Sequence, residues 1–97
     1  MSSGTAPRRR VVVTGMGTIS PVGNDTRSTW DALLAGQGGC GPITHFEATE
    51  DFATRIACQV KGFDPTSFLD AKEARRYDRF AQFALWAAME AMKDAGL

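Results

Sequence analysis

The sequence predicts an α/β protein whose sheet is incomplete within its 97 residues. Val11, Val12 and Val13 form a continuous β-branched run, which is typical of a strand buried on both faces of a layered sheet. The segment between Asp78 and Ala95 has a helical pattern that is apolar around most of its circumference, so several neighbouring elements must cover it. Only two segments have the pattern of a strand, and two strands cannot bury both features. We expect the chain to be the beginning of a larger protein, or to fold only with other segments.

The composition narrows the classes of partner. Lys and Arg number 11, Asp and Glu number 11, and the net charge is +0. A balanced net charge does not indicate nucleic acid or an anionic membrane as the partner. No apolar run approaches a transmembrane span or the core of a signal peptide. Residues 1–8 are small, polar and basic, and we expect them to be the disordered leader of a cytoplasmic protein.

A glycine turn follows the first predicted strand. Gly15 and Gly17 allow the backbone to adopt positive φ or to approach another segment closely. A strand followed by Gly-x-Gly invites comparison with a dinucleotide site. That fingerprint requires Gly or Ala three positions after the second Gly, where this sequence has Ser20 followed by Pro21. We therefore favour a strand-ending turn over a nucleotide-binding site, and no cofactor is predicted.

The first helix and second strand follow in order. Asn24 and Asp25 supply an N-cap for a short packing helix, which Gly36 ends. Residues 36–47 are rich in glycine and are predicted to form a loop. The hydrophobic period then changes to two from Phe52 to Val60, which predicts a half-exposed, antiparallel strand.

The second half of the chain is predicted to be helical almost to its end. Asp64 and Pro65 indicate a short helix through Leu69, and Asp70 starts the next one. Beyond Asp78, a narrow polar stripe interrupts the apolar surface, and Gly96 ends the helix. The stripe consists of Arg79, Gln82, Glu90 and Lys93, and Trp86 falls within it.

Two cysteines and one histidine are the candidates for catalysis. Cys40 lies in the glycine-rich loop and Cys58 in the alternating strand, so neither has a CxxC partner or metal-ligand spacing. We favour a structural role for Cys40, because a reactive thiol needs a positive environment, and a core position for Cys58. His45, the only histidine, forms no recognisable triad with other residues. No catalytic residue and no metal site is predicted.

Basic residues recur on one side of the helix that begins at Asp70. They fall at i, i+3, i+4 and i+7, a spacing that places side chains on one helical face. These residues are Lys72, Arg75, Arg76 and Arg79. From the residues alone, a solvated face partly balanced by Glu73 and Asp78 is the favoured interpretation.

The order of motifs resembles the start of a β-ketoacyl-acyl carrier protein synthase, of the type that elongates chains in bacterial type II fatty acid synthesis. The resemblance rests on VVVTGMGTISPVGN, followed by STWDALLAGQGG, PITHFE and KEARRYDRF, and runs from Arg9 to Leu97. It implies the N-terminal portion of a thiolase-like, layered α-β-α-β-α fold and a homodimeric enzyme. It also implies that the nucleophilic Cys, two His and one Lys of the family lie beyond Leu97.

The resemblance also implies a partner for the basic face. The family receives its acyl chains from an acidic carrier protein, and a KExRK-like docking patch matches Lys72, Arg75 and Arg76 residue by residue. Arg79 lies outside that match. Two alternatives remain open, which are a ketosynthase subunit from polyketide assembly and a non-catalytic module that binds carrier protein.

Overall fold

The computed structural model of the protein describes residues 7–97 as three helices and a short β-ribbon. The helices are α1 (Thr26–Leu34), α2 (Ala71–Arg76) and α3 (Arg79–Asp94), and the strands are β1 (Cys40–Pro42) and β2 (Ile56–Cys58). A 3₁₀ turn, Pro65–Ser67, precedes α2. Residues 1–6 of the predicted leader lie outside the described residues. No helix in residues 7–97 is long and apolar enough to cross a membrane.

The ends of α1 and α3 agree with the sequence signals. The Asp25 carboxylate accepts a 2.7 Å hydrogen bond from the Ser28 N–H, and Ser28 Oγ accepts one from the Asp25 N–H in return. This capping box satisfies two N–H groups that the helix itself leaves free. Gly36 and Gly96 adopt φ angles of +72° and +80°, respectively, in the left-handed region that favours glycine after a helix. The predicted start of α1 and both predicted helix ends are confirmed.

The helix predicted to run on from Asp70 is in fact two helices. Tyr77 is extended, with φ −107° and ψ 136°, and this break separates α2 from α3. The Gln82 side chain donates to the carbonyl of Ala74 at 2.8 Å and to that of Tyr77 at 3.2 Å. These bonds satisfy carbonyls that the end of α2 leaves without an intrahelical donor. Gln82 is only 7% exposed, so this member of the predicted polar stripe is buried against the end of α2.

The strand predicted at Val11–Val13 does not form within the described residues. The three valines are 94%, 68% and 79% exposed, and no strand of residues 7–97 pairs with them. A strand exists only where a neighbour supplies ladder hydrogen bonds, and the only sheet described here is the ribbon of β1 and β2. The predicted strand is therefore absent from the described residues, and the exposure of the three valines agrees with the expectation that this chain alone cannot bury them.

The β-ribbon is antiparallel, as predicted for its second strand, but shorter. It pairs Cys40 with Cys58, Gly41 with Ala57 and Pro42 with Ile56, so the predicted loop over residues 36–47 contains a strand. The strand predicted from Phe52 to Val60 is reduced to three residues. Cys58 is exposed rather than in a core, because the ribbon buries neither Cys58 nor Ile56.

The glycine turn packs directly on the backbone of α3. A Cβ atom added at Gly17 would collide with the carbonyl oxygen of Ala87, and one added at Gly15 would collide with that of Ala91. Neither glycine has positive φ, so close approach is the reason that these positions need glycine. The sequence left both explanations open, and the structure selects close approach.

Two carboxylates of α3 hold this turn in place. Asp94 accepts the Met16 N–H at 3.0 Å, and Glu90 accepts the Thr18 N–H at 2.8 Å. Glu90 also accepts the N–H of Thr26, the first residue of α1, at 3.0 and 3.2 Å. A carboxylate at a helix N-terminus interacts favourably with the helix dipole. Glu90 therefore joins the turn, α1 and α3.

The described residues bury little apolar surface. Ala32 and Ala74 are the only buried hydrophobic residues, while Phe80, Met89 and Met92 on α3 are more than half exposed. The radius of gyration is 18.9 Å, against about 13 Å for a compact domain of 100 residues. Within residues 7–97 the apolar surface of α3, which the sequence predicts to be covered by several elements, is covered only in part, by the glycine turn and by aromatic side chains that precede α2.

Candidate functional site

The basic face of α2, defined as Lys72, Arg75 and Arg76, is the candidate site. All three side chains are exposed, whereas Ala74 of the same helix is buried on the opposite side. Within residues 7–97 the only ion pair is Arg27 with Asp31, so neither Glu73 nor Asp78 neutralises this face by direct contact. The three cations are therefore available to an external anionic surface.

Hydrogen bonds satisfy both ends of α2, and those at its C-terminal end join it to α3. Asp70 caps its first turn by accepting the Glu73 N–H at 2.7 Å. Gln82 satisfies the carbonyls at its other end, as described above. Arg75 and Arg76 lie in the last turn, where positive charge interacts favourably with the helix dipole. The short helix therefore presents its cations on a defined side.

Arg79 does not belong to this face. It is the first residue of α3, and its Cζ atom lies 5.0 Å from the ring centroid of Phe63 and 5.2 Å from that of Phe83. Both distances are within the range of a cation–π contact. The predicted four-residue helical face is thus wrong at Arg79. The helix is interrupted at Tyr77, and the side chain of Arg79 therefore points towards an aromatic cluster.

The aromatic cluster consists of Phe63, Phe68, Phe83 and Trp86. Neighbouring ring centroids are 5.1 to 6.0 Å apart, mostly edge to face. The Trp86 indole N–H donates to the carbonyl of Asn24 at 2.6 Å, which ties the cluster to the start of α1. Edge-to-face rings of this kind stabilise their contact beyond simple burial. The cluster thus packs the segment before α2, through Phe63 and Phe68, against α3.

No periodic pattern in the sequence identifies the aromatic cluster. Its available signal was two pairs of aromatic residues, one pair flanking the Asp64–Pro65 turn and the other spaced i, i+3 on α3. Trp86, which falls within the predicted polar stripe, is half-buried and contacts Phe63 and Phe68.

The cysteines and His45 do not assemble a catalytic site. Asp31 pairs with Arg27, and the backbone N–H of His45 donates to the Gln59 side chain at 3.4 Å. No group of three or more His, Cys, Asp or Glu side chains in the described part of the chain could hold a metal ion. Desolvation and the neighbouring Cys58 thiol raise the pKa of Cys40, although Lys61 opposes this. A raised pKa lowers the thiolate fraction at neutral pH, so Cys40 lacks the activation that the nucleophile of an enzyme needs.

Comparison with known proteins identifies the family. The family model described as the N-terminal domain of β-ketoacyl synthase matches residues 8–97. The chain is 52% identical over 90 residues to 3-oxoacyl-[acyl-carrier-protein] synthase 2 of Vibrio cholerae, covering 93% of this chain and 22% of that protein. It is 48% identical over 89 residues to the protein of the same name from Staphylococcus aureus strain COL, covering 92% and 21%.

A solved structure agrees with these matches. The chain superposes on the ishigamide ketosynthase/chain length factor with a TM-score of 0.82 at 41% identity, covering 94% of this chain and 22% of that one. The predicted fold class, an incomplete portion of the thiolase-like fold, is confirmed. The chain spans about a fifth of the length of its curated relatives. It belongs to the β-ketoacyl synthase family, within the N-terminal domain of that family.

Proposed function

We propose that this chain is the N-terminal part of a 3-oxoacyl-acyl carrier protein synthase that lengthens chains in fatty acid synthesis. The match over residues 8–97, with about half of the residues identical to proteins of that name, is the observation that carries the proposal. The enzyme is expected to be a cytoplasmic homodimer. Its nucleophilic Cys, two His and Lys are expected outside residues 9–97.

The proposed reaction is a decarboxylative condensation. An acyl group moves from carrier protein to a Cys thiolate, which releases the carrier thiol. Malonyl-carrier protein loses CO₂ to give a carbanion equivalent, which attacks the thioester and expels the thiolate. Two His donors to the developing oxyanion suit this chemistry. The product is a 3-oxoacyl chain, longer by two carbons, on the carrier protein.

In this proposal the basic face of α2 docks the acidic carrier protein. Its three exposed cations lie on one side of a capped helix and have no ion-pair partner within the described residues. Exposed ion pairs contribute only about 0.2 to 1 kcal/mol each. They also steer the encounter over a longer range. The docking effect should therefore be distributed over the three residues and should weaken as salt is added.

Charge reversal in the full-length protein tests this site. Changing Lys72, Arg75 and Arg76 together to Glu should raise the KM for carrier-bound substrate by roughly tenfold or more at low salt. Activity on the same acyl group carried by a short pantetheine arm should change little, because that substrate has no acidic helix. Equal loss on both substrates would mean damage to the fold, and no loss on either would mean that the face is merely solvated.

A matched control separates docking from net charge. Arg8, Arg9 and Arg55 are exposed, and none of them lies on α2. Their combined change to Glu alters the net charge by the same amount. We expect the KM for carrier-bound substrate to rise much less in this control than in the α2 variant. An equal rise would assign the effect to overall charge and would contradict a docking role for α2.

Turnover distinguishes the proposed reaction from its alternatives. Full-length protein incubated with acyl- and malonyl-carrier protein should give the 3-oxoacyl product, identified by mass spectrometry. Residues 1–97 alone should give none, because neither Cys40 nor His45 is placed for the reaction. Turnover by this fragment that mutation of Cys40 abolishes would contradict both expectations.

A ketosynthase subunit of polyketide assembly is the second candidate, because a ketosynthase/chain length factor matches the chain structurally. Such a subunit should add several two-carbon units without intervening reduction, whereas the fatty acid enzyme should stop after one. Binding of carrier protein without any turnover by the full-length protein would instead favour a non-catalytic module.

A further inference from the structure

The two cysteines, which are 18 positions apart in the sequence, face each other across the β-ribbon. Cys40 in β1 is the register partner of Cys58 in β2, and both are exposed thiols. Register partners in an antiparallel pair point their side chains to the same face of the sheet. The ribbon therefore brings together two thiols that no spacing motif in the sequence pairs.

The hydrogen-bond pattern shows which kind of pair this is. The Ile43 N–H donates to the Arg55 carbonyl at 2.9 Å, so residues 43 and 55 form a hydrogen-bonded pair. Hydrogen-bonded and non-hydrogen-bonded pairs alternate along an antiparallel ladder. The pairs that follow are 42 with 56, 41 with 57 and 40 with 58. The alternation makes the last of these, Cys40 and Cys58, a non-hydrogen-bonded pair. In such pairs the Cα atoms are about 4.5 Å apart, which is within the range of about 4.4–6.8 Å that disulfides span.

Lys61 holds the ribbon together beside the two thiols. Its ammonium group donates to the carbonyls of Gly39 and Gln59, each at 2.8 Å, and to that of Pro21 at 3.0 Å. Gly39 and Gln59 are the immediate neighbours of Cys40 and Cys58. One side chain thus clamps both strands next to the cysteines and limits their separation.

We propose that Cys40 and Cys58 form a reversible dithiol–disulfide site that exchanges with low-molecular-weight disulfides such as glutathione disulfide. One Cys thiolate attacks a sulfur of the small disulfide, which releases one small thiol and leaves a mixed disulfide. The thiolate of the second Cys then attacks the protein sulfur of that mixed disulfide and releases the second small thiol. Two protein thiols are oxidised to one disulfide while one small disulfide is reduced to two thiols.

Peptide mapping of the full-length protein tests this site. The protein is equilibrated in glutathione buffers of rising disulfide content, free thiols are alkylated, and trypsin then cleaves after Arg27, Arg55 and Lys61. The cysteines fall in adjacent peptides, residues 28–55 and 56–61. We expect these peptides to become linked, to lose both alkylation sites, and to separate again on reduction.

Single variants provide the control. In Cys40→Ser or Cys58→Ser the remaining cysteine should stop at the glutathione mixed disulfide, because the second thiol is missing. Wild-type protein should instead show little mixed disulfide at either position. If both wild-type cysteines remain separately alkylated at every glutathione ratio, or both keep glutathione without linking, the proposal is wrong. This outcome is read from wild-type protein, so it does not depend on the folding of a variant or on enzyme activity.

Discussion

The contact between the glycine turn and α3 predicts a large effect from a single methyl group. A Cβ atom at Gly17 would collide with the Ala87 carbonyl oxygen and lie 2.8 Å from the Ala91 nitrogen. These are backbone atoms of a helix and cannot rotate away, so the turn itself must move off α3. Overpacking of this kind typically costs about 1–3 kcal/mol.

Displacement of the turn also weakens a hydrogen bond to a charged group. Thr18, the next residue, donates its N–H to Glu90 at 2.8 Å. Hydrogen bonds to charged groups contribute roughly 1.5–3 kcal/mol. A small shift of the turn would relieve the collision and lengthen this hydrogen bond without breaking it completely. We therefore expect Gly17→Ala to lower the free energy of unfolding by about 2–3 kcal/mol.

Gly38→Ala is the matched control. A Cβ added at Gly38 meets nothing within 4 Å, and Gly38 does not have positive φ. This variant should be neutral, or stabilising by up to about 1 kcal/mol through the lower entropy of the unfolded chain. Urea unfolding of both full-length variants measures the difference, and amide hydrogen exchange at Thr18 reports the local opening. Equal unfolding midpoints together with unchanged exchange at Thr18 would refute the predicted contact.

Three further predictions concern other parts of the chain. Gln82→Ala should leave the carbonyls of Ala74 and Tyr77 without their donor and lower the free energy of unfolding by about 1–3 kcal/mol. Chymotrypsin should cleave after Tyr77 faster than in wild type. An unchanged cleavage rate would contradict the role of Gln82 in holding the end of α2. Hydrogen bonds from Ser28 lower the pKa of Asp25, so its contribution to stability is present above its unfolded pKa, near 4, and is lost as the pH falls through the lower folded pKa. Asp25→Asn retains a good cap without that titration, so its melting temperature should fall less than that of wild type on acidification; parallel falls would contradict this. Residues 1–97 in isolation should show no sharp calorimetric transition, because only alanines are buried among the described apolar residues; cooperative unfolding of a monodisperse monomer would overturn this prediction.

Features that depend on neighbours in the sequence were predictable. Asp25 and Ser28 are three residues apart, and a cap needs nothing more distant. Gly36 and Gly96 end helices because of their own backbone freedom. The spacing of Lys72, Arg75 and Arg76 places them on one side of a helix regardless of what packs behind it. Their docking role stays a prediction, because it depends on a partner rather than on local geometry.

Features that depend on distant contacts were not predictable. The ladder that Val11–Val13 need is not supplied by any strand in the described residues, so an apolar pattern alone could not produce a strand. The burial of Gln82 was not predictable, because helical periodicity does not reveal that α2 ends beside it. Arg79 shows the same limitation, since one extended residue, Tyr77, redirects its side chain to Phe63 and Phe83.

The most direct test of the central proposal is the affinity of the full-length protein for acyl carrier protein, measured by calorimetry as salt is raised. Wild-type protein and the variant with Arg8, Arg9 and Arg55 changed to Glu should bind well at low salt and weaken steeply as salt is added. The variant with Lys72, Arg75 and Arg76 changed to Glu should bind about tenfold or more weakly at low salt and respond little to added salt. Equal affinity and equal salt dependence in wild type and this variant would contradict a docking role for the basic face of α2.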